Sequence, residues 1–195
     1  MKCSTSPRVG FCFAPAPILV LPSVILLLLG CASVVSTDPG NASRAPVVPP
    51  ELEVPSGNEI LYHTFATGVQ IYSATSATNS PTGFAWTLKA PEAALFDASS
   101  NAVGSHYAGP TWELDQDGSK VSGVVMQRVP SRDATAIPWL LLKMKTTEGT
   151  GQFCRVTYIQ RVNTKGGLAP AATPTTPGQE VRVHYSAEYY FYREK

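Results

Sequence analysis

The fold is decided near the end of the chain by residues 180–192, which read EVRVHYSAEYYFY. Apolar and polar residues alternate along this stretch without interruption. Strict alternation over a dozen residues is typical of a β-strand that buries one face. We therefore predict a long strand with Val181, Val183, Tyr185, Ala187, Tyr189 and Phe191 on its core face.

Shorter runs of the same kind fill the chain from Ile60 onward. Residues 139–142 (WLLL) do not alternate, which predicts a strand covered on both faces. Asp117-Gly118 suits a tight hairpin turn, and residues 90–93 suit a single helical turn. The sequence predicts an all-β fold, a single antiparallel β-sandwich or barrel-like domain of about ten strands. Those strands are residues 60–65, 69–73, 84–89, 94–97, 102–106, 111–115, 120–128, 139–146, 153–163 and 180–192.

Residues 1–30 are predicted to be a signal peptide of the lipoprotein type. Lys2 and Arg8 give a positive start, and an apolar run follows that is too short to span a bilayer comfortably. The run ends in Gly30-Cys31, which resembles a bacterial lipoprotein signal and makes Cys31 the expected site of lipid attachment. The alternative is an ordinary signal cleaved after residue 36, with Cys31 lost.

Residues 31–56 are Pro-rich and are predicted to form a disordered tether, which leaves residues 57–195 as the all-β domain. The chain has 15 Lys and Arg against 14 Asp and Glu, and removing Lys2 and Arg8 with the leader leaves a net charge of −1. A protein without a basic surplus is a poor partner for phosphate backbones, so we expect no nucleic acid partner. Cys154 is the cysteine that remains in the domain, and its place in an alternating run predicts burial.

Several stretches of the domain resemble the bacterial and fungal family catalogued as domain of unknown function 3455. The resemblance covers nearly all of residues 50–192, and its motifs occur in order. It implies a secreted single domain and supplies no activity. The matching motifs are GVQIY (68–72), WTLKAPEA (86–93), GSHYAGPTWE (104–113), DGS (117–119), IPWLLL (137–142), YIQRVNT (158–164), GG (166–167) and YSAEYYF (185–191).

The motifs of common enzymes are weak in this sequence. Gly149-Thr150-Gly151 lacks the third glycine of a dinucleotide-binding turn, and the nucleophile elbow Gly-x-Ser-x-Gly is absent. The three histidines are far apart, without the short spacing of zinc ligands. We therefore expect no cofactor and no metal, and lean against an enzyme.

The candidate ligand-binding residues are His106, Tyr107, Trp112 and Glu113, together with Arg161. The first four flank a Gly-Pro pair that should bend the chain and bring His106 and Trp112 to one end of the sheet. The alternative is structural: the aromatic residues are core, His106 caps a backbone group, and Arg161 lies on a solvated face.

Three functions follow from these expectations. The first is an exported, non-catalytic envelope domain that binds a glycan or another small molecule and is held to the membrane by a lipid anchor. The second is a structural or protein-interaction domain of the cell envelope. The third is an enzyme that uses His106 with Glu113 or Asp117. If the signal is cleaved after Cys31, the protein is secreted instead of anchored.

Overall fold

A computed structural model of the protein describes residues 44–195. The expected signal peptide, Cys31 and the first part of the tether lie outside the described residues. Eight antiparallel strands follow one another around a closed barrel, in which β1 also pairs with β8. The all-β prediction is confirmed, and the open choice between sandwich and barrel is decided for the barrel. The strands are β1 (Asn58–Ser76), β2 (Phe84–Phe96), β3 (Ala102–Tyr107), β4 (Thr111–Leu114), β5 (Lys120–Val129), β6 (Trp139–Glu148), β7 (Tyr158–Gly166) and β8 (Glu180–Glu194).

The strand number is eight because two pairs of predicted strands are continuous. Gly68 does not break β1: a Cβ atom there would lie 2.2 Å from the carbonyl oxygen of Glu92 and 2.4 Å from Cα of Ala93. Glycine is required at this position because the backbones of β1 and β2 approach each other closely. The glycine is therefore part of the strand pair rather than a turn.

The predicted helical turn at residues 90–93 is wrong, because these residues lie within β2. Pro91 pairs with Gln70 of β1, whereas β2 pairs with β3 only from Ala93 to Phe96. Proline is tolerated on a strand edge, where its missing N–H is not needed by a second neighbour. Pro91 thus marks the point at which β2 loses one of its two partners.

Cys154 also differs from its prediction. Residues 153–155 belong to a short 3-10 helix, Gln152–Arg155, and β7 begins only at Tyr158. Cys154 is partly exposed there, and its thiol donates to the Glu148 carbonyl oxygen at 3.3 Å. The alternating pattern in this region continues through a helical turn, so it did not locate the start of the strand.

The barrel wall has a buried cluster on each side. Inside lie Trp112, Phe153, Tyr189 and Phe191 with the inward aliphatic residues. The alternation predicted for β8 is confirmed for Tyr185, Ala187, Tyr189 and Phe191, which belong to this inner cluster, whereas Val181 and Val183 are only half-buried and lie outside it. Residues 139–142 are buried on both faces, as the sequence predicts. The outer cluster comprises Leu52, Trp139, Leu141, Val162, Tyr190 and Tyr192.

Residues 48–54 cover this outer cluster from the N-terminal side. They include a short 3-10 helix, Pro50–Leu52, whose Leu52 side chain is fully buried. Gln160 of β7 donates to the Leu52 carbonyl oxygen at 2.6 Å and fixes the segment to the wall. The last residues of the Pro-rich stretch therefore lie against the barrel.

Candidate functional site

The short β3–β4 hairpin leaves part of the barrel wall incomplete at one end. β4 pairs with β5 only between Thr111–Glu113 and Lys120–Ser122, so the second half of β5 pairs with β6 alone. The first half of β2 likewise pairs with β1 alone. The turn at Gly109 and Pro110 lies between these two unpaired strand halves, and all three segments line one cavity.

This cavity has a volume of about 390 Å³. Its inner end is formed by His106, Trp112, Tyr189 and Gln70, which are all buried. Its mouth includes Leu88 and Val125, which are 50% and 40% exposed, so the cavity reaches the surface. A partly apolar cavity of this size at a barrel mouth is typical of small-molecule sites. Its apolar walls are Leu88, Pro91, Pro110, Val125, Leu140 and Leu142.

His106 and Trp112 are brought together as cross-strand partners of the β3–β4 hairpin. Their rings stack with centroids 4.3 Å apart and planes inclined by 10°. Nδ1 of His106 lies 2.8 Å from the Thr111 carbonyl oxygen. Because a carbonyl can only accept, Nδ1 carries the proton and Nε2 of the neutral ring is an acceptor. The sequence predicts a bend at Gly109-Pro110, and this bend brings the two side chains together.

The imidazole of His106 is held in its neutral form. The pKa of His106 is lowered to about 3, mainly by burial; the hydrogen bond to Thr111 partly offsets this effect, and the charge of Arg161 adds to it. His106 is thus both a capping group for the backbone and a wall of the cavity. The structural and the binding interpretations of this residue describe the same geometry.

Arg161 enters the cavity from β7. Its Nε and Nη2 atoms donate to the Pro138 carbonyl oxygen at 3.2 and 2.8 Å, which fixes the guanidinium in place. Within residues 44–195, Arg161 forms no ion pair with a carboxylate. The solvated-face alternative for this residue is therefore wrong, because Arg161 is half-buried and shares the inward face with Ile159.

Three further residues of the cavity have buried polar atoms that make no hydrogen bond of normal geometry in the described chain: Gln70 Nε2, Trp112 Nε1 and the Tyr189 hydroxyl. Tyr189 nevertheless lies close enough to Tyr185 and Arg161 for both to lower its pKa. Burial raises the pKa of Tyr189, partly offset by the charge of Arg161, so its hydroxyl stays protonated. An unpaired polar atom in a protein interior costs free energy. These atoms therefore mark the polar part of the cavity wall.

Tyr107 and Glu113 lie on the other face of the hairpin, away from His106 and Trp112. The Tyr107 hydroxyl donates to Glu113 at 2.8 Å, and Lys120 Nζ lies 3.6 Å from the same carboxylate oxygen. Burial raises the pKa of Tyr107, and the bond to Glu113 and its charge raise it further. These two candidates form a surface network and do not reach the cavity.

Asp117 is likewise separate from His106. Its carboxylate accepts from the backbone N–H groups of Ser119 at 2.9 Å and Gln152 at 2.8 Å, and Gly118 beside it has a φ of 64°. The bond to Ser119 closes the β4–β5 loop at the predicted Asp-Gly turn, and the bond to Gln152 joins this loop to the 3-10 helix Gln152–Arg155. Neither carboxylate proposed as a catalytic partner of His106 is brought to it. Among residues 44–195, no three potential metal ligands lie together.

Four residues of the cavity are missing from the ligand-binding residues that the sequence predicts: Gln70, Tyr189, Arg128 and Leu88. Tyr189 lies on the inward face that the alternation of β8 identifies, and Gln70 is a polar residue inside an otherwise apolar run. A polar residue on an inward face is the signal that would have found them. Leu88 and Arg128 belong to the cavity only because the hairpin beside them is short.

The family model for a protein of unknown function, DUF3455, matches residues 55–193. The chain belongs to the DUF3455 family. Every residue of the cavity lies within this DUF3455 domain. Neither a curated protein nor a solved structure matches the chain significantly. The described part of this family member contains no helix with the length and apolar character needed to cross a bilayer.

Proposed function

We propose that the barrel binds a small, largely apolar molecule in the cavity beneath the Gly109-Pro110 turn. The observation that carries this proposal is the cavity of about 390 Å³, open between the unpaired halves of β2 and β5 and closed at its inner end by buried residues with unpartnered polar atoms. The apolar walls favour a hydrophobic body, and the unpartnered polar atoms favour a ligand with a polar head.

The proposed function is binding without catalysis. His106 has a pKa of about 3, far from the range in which a general base works near neutral pH. It stacks on Trp112, and its Nδ1 is held by Thr111. Glu113 and Asp117 are engaged elsewhere, so the residues needed for an acid–base pair do not converge.

A thermal-shift screen of small molecules tests the proposal. A ligand present at a hundred times its Kd should stabilise the protein by about 2.7 kcal/mol. Val125→Trp places a bulky side chain at the cavity mouth and should reduce the affinity for any hit at least about tenfold. Val124→Trp is the matched control, because the preceding residue is 52% exposed and does not line the cavity. Equal affinity in both variants would place the ligand elsewhere and contradict the proposal.

A second candidate, a protein-interaction domain, is favoured by one observation. Val124, Val125 and Met126 are exposed side chains in the half of β5 that has a single strand neighbour. An unpaired edge with apolar side chains can accept an added strand from a partner. Val124→Lys should abolish capture of an envelope protein if this function holds. Binding of small ligands should then be unchanged.

We also propose that the domain is exported and anchored to a bacterial cell envelope through a lipid on Cys31. The support is the position of Gly30-Cys31 at the end of the apolar run, which lies outside the described residues. Metabolic labelling with an alkyne analogue of palmitate should mark the wild type and the Cys154→Ser control, and should not mark Cys31→Ser. Unlabelled protein that begins beyond Cys31 would show secretion instead.

A further inference from the structure

The charges around the cavity are of one sign. Three charged residues line it, Lys89, Arg128 and Arg161, and no Asp or Glu is among the described residues of its wall. Lys89 is paired with Glu180 on the surface. Arg128 and Arg161 form no ion pair within residues 44–195. The cavity therefore offers a positive charge without a counterion.

Arg161 is the cation that is fixed in place. A guanidinium has five N–H donors, and two of the groups that carry them are held by the Pro138 carbonyl oxygen. That bond orients the planar group, and a backbone carbonyl does not neutralise its charge. Planar, pre-oriented guanidinium groups are well suited to carboxylates.

Gln70 and Arg161 lie where two neighbouring cavities meet. Both residues line the main cavity and a neighbouring one of about 320 Å³, which extends toward Tyr72 and Pro138. Nε2 of Gln70 is a buried donor without a partner, and so is Nε1 of Trp112. A negatively charged group near Arg161 would meet donors and would meet no competing carboxylate from the wall.

We propose that the ligand is an amphipathic monoanion, a carboxylate on an apolar body, whose head group binds Arg161. This inference rests on the proposed function, because it assigns a chemical class to the ligand of the same cavity. The apolar body lies between Leu88, Val125, Leu140 and Leu142. Arg128 is exposed, whereas Arg161 is half-buried, and the ring of His106 is neutral, so Arg161 is the cation that faces a single negative charge inside the cavity.

Two matched pairs of probes test the head group: decanoate against decanol, and 2-naphthoate against 2-naphthylmethanol. Isothermal titration calorimetry on the intact domain should show that at least one carboxylate binds about tenfold or more tightly than its alcohol, since bonds to charged groups are the stronger class. Raising the salt concentration should lower the affinity for the carboxylate and leave the affinity for the alcohol unchanged.

Variants of Arg161 test the residue. Arg161→Gln should reduce carboxylate affinity at least about tenfold and leave alcohol affinity within about twofold, which also shows that the variant is folded. Arg161→Lys should retain part of the carboxylate affinity that Arg161→Gln loses. Arg155→Gln is the control with the same change of charge, because Arg155 does not line this cavity. Its carboxylate affinity should equal that of the wild type.

The outcomes separate this inference from the proposed function. If an alcohol binds as tightly as its carboxylate, and Val125→Trp blocks it, the cavity binds ligands and the charge inference fails. If carboxylates bind preferentially but Arg161→Gln has no effect, the assignment to Arg161 fails. If none of the four probes binds, this inference fails, whereas the proposed function is decided by the thermal-shift screen and by the comparison of Val125→Trp with Val124→Trp.

Discussion

The two sides of the barrel wall each bury a glutamine, and the two glutamines have different surroundings. Gln160, on the outer side, is 2% exposed and is bonded at both ends: Nε2 donates to Leu52 at 2.6 Å, and Oε1 accepts from Tyr192 at 2.6 Å. Gln70, on the inner side, is 1% exposed, and its Nε2 has no partner in the described chain.

This difference separates a structural polar group from a candidate binding group. Gln160 joins the N-terminal segment to the wall, and its bonds are complete without a ligand. Gln70 lines a cavity beside Arg161, and its donor is unmet. A buried amide without a partner is costly, and the cavity beside Gln70 has room for a group that could pair with it. Trp139 Nε1 in the outer cluster is also unpartnered, so the comparison is strongest for the glutamines.

The largest effect should come from Trp112→Ala. Trp112 is 1% exposed and contacts His106, Tyr189 and Phe191 through its ring, so truncation leaves a large void in the inner cluster. We expect a loss of about 3–5 kcal/mol in the free energy of unfolding, measured by urea denaturation. A loss below about 1 kcal/mol would mean that Trp112 is a binding platform and not part of the core.

The next effect tests the two glutamines directly. Gln160→Leu leaves the Leu52 carbonyl and the Tyr192 hydroxyl buried without partners, and should cost about 2–4 kcal/mol. Gln70→Leu is the matched substitution on the inner side, where no bond of Nε2 is lost, and should cost less than about 1 kcal/mol. Equal losses in the same denaturation experiment would remove the distinction between the two regions.

A smaller effect concerns the pH dependence of stability. The pKa of His106 is lowered by burial to about 3, whereas a histidine in the unfolded chain titrates near 6.5. The unfolded state therefore binds the proton first, and stability falls as the pH falls from 6.5 toward 3. Between pH 7 and pH 5 the contribution of His106 is about 2 kcal/mol.

His106→Phe keeps a ring against Trp112 and removes the titration. The variant should lose about 2 kcal/mol less than the wild type on going from pH 7 to pH 5, measured by urea denaturation at each pH. The lowered pKa of Glu188 acts at lower pH and is common to both proteins. Parallel pH profiles for the two proteins would show that His106 is accessible to protons in the fold.

Much of this fold can be read from the sequence because period-two alternation is explicit in β8 and because Asp117-Gly118 and Gly109-Pro110 mark turns. The same signals bring His106 and Trp112 together. The number of strands could not be predicted, because Gly68 and Pro91 are ordinary turn residues by type and act here at a close approach and at an unpaired edge.

The place of Arg161 could not be predicted for a different reason. Both faces of β7 are buried, one by the barrel interior and the other by residues 48–54, so alternation divides the residues into two sets without telling which set is inside. The N-terminal segment that covers the outer face has no periodic pattern of its own. Its contact with Gln160 and Trp139 is a long-range feature of the fold.

The most direct test of the proposed site is the indole N–H spectrum of the three tryptophans. Trp112 lines the cavity, Trp139 lies in the outer cluster, and the indole of Trp86 donates to the Ala172 carbonyl oxygen at 2.9 Å. We predict that saturation with the tightest of the decyl and naphthyl probes shifts the Trp112 indole signal in a ¹⁵N–¹H spectrum and slows its exchange with solvent, while the Trp86 and Trp139 signals stay in place. A bound probe that leaves Trp112 unchanged and shifts Trp139 or Trp86 would contradict a ligand site inside the barrel.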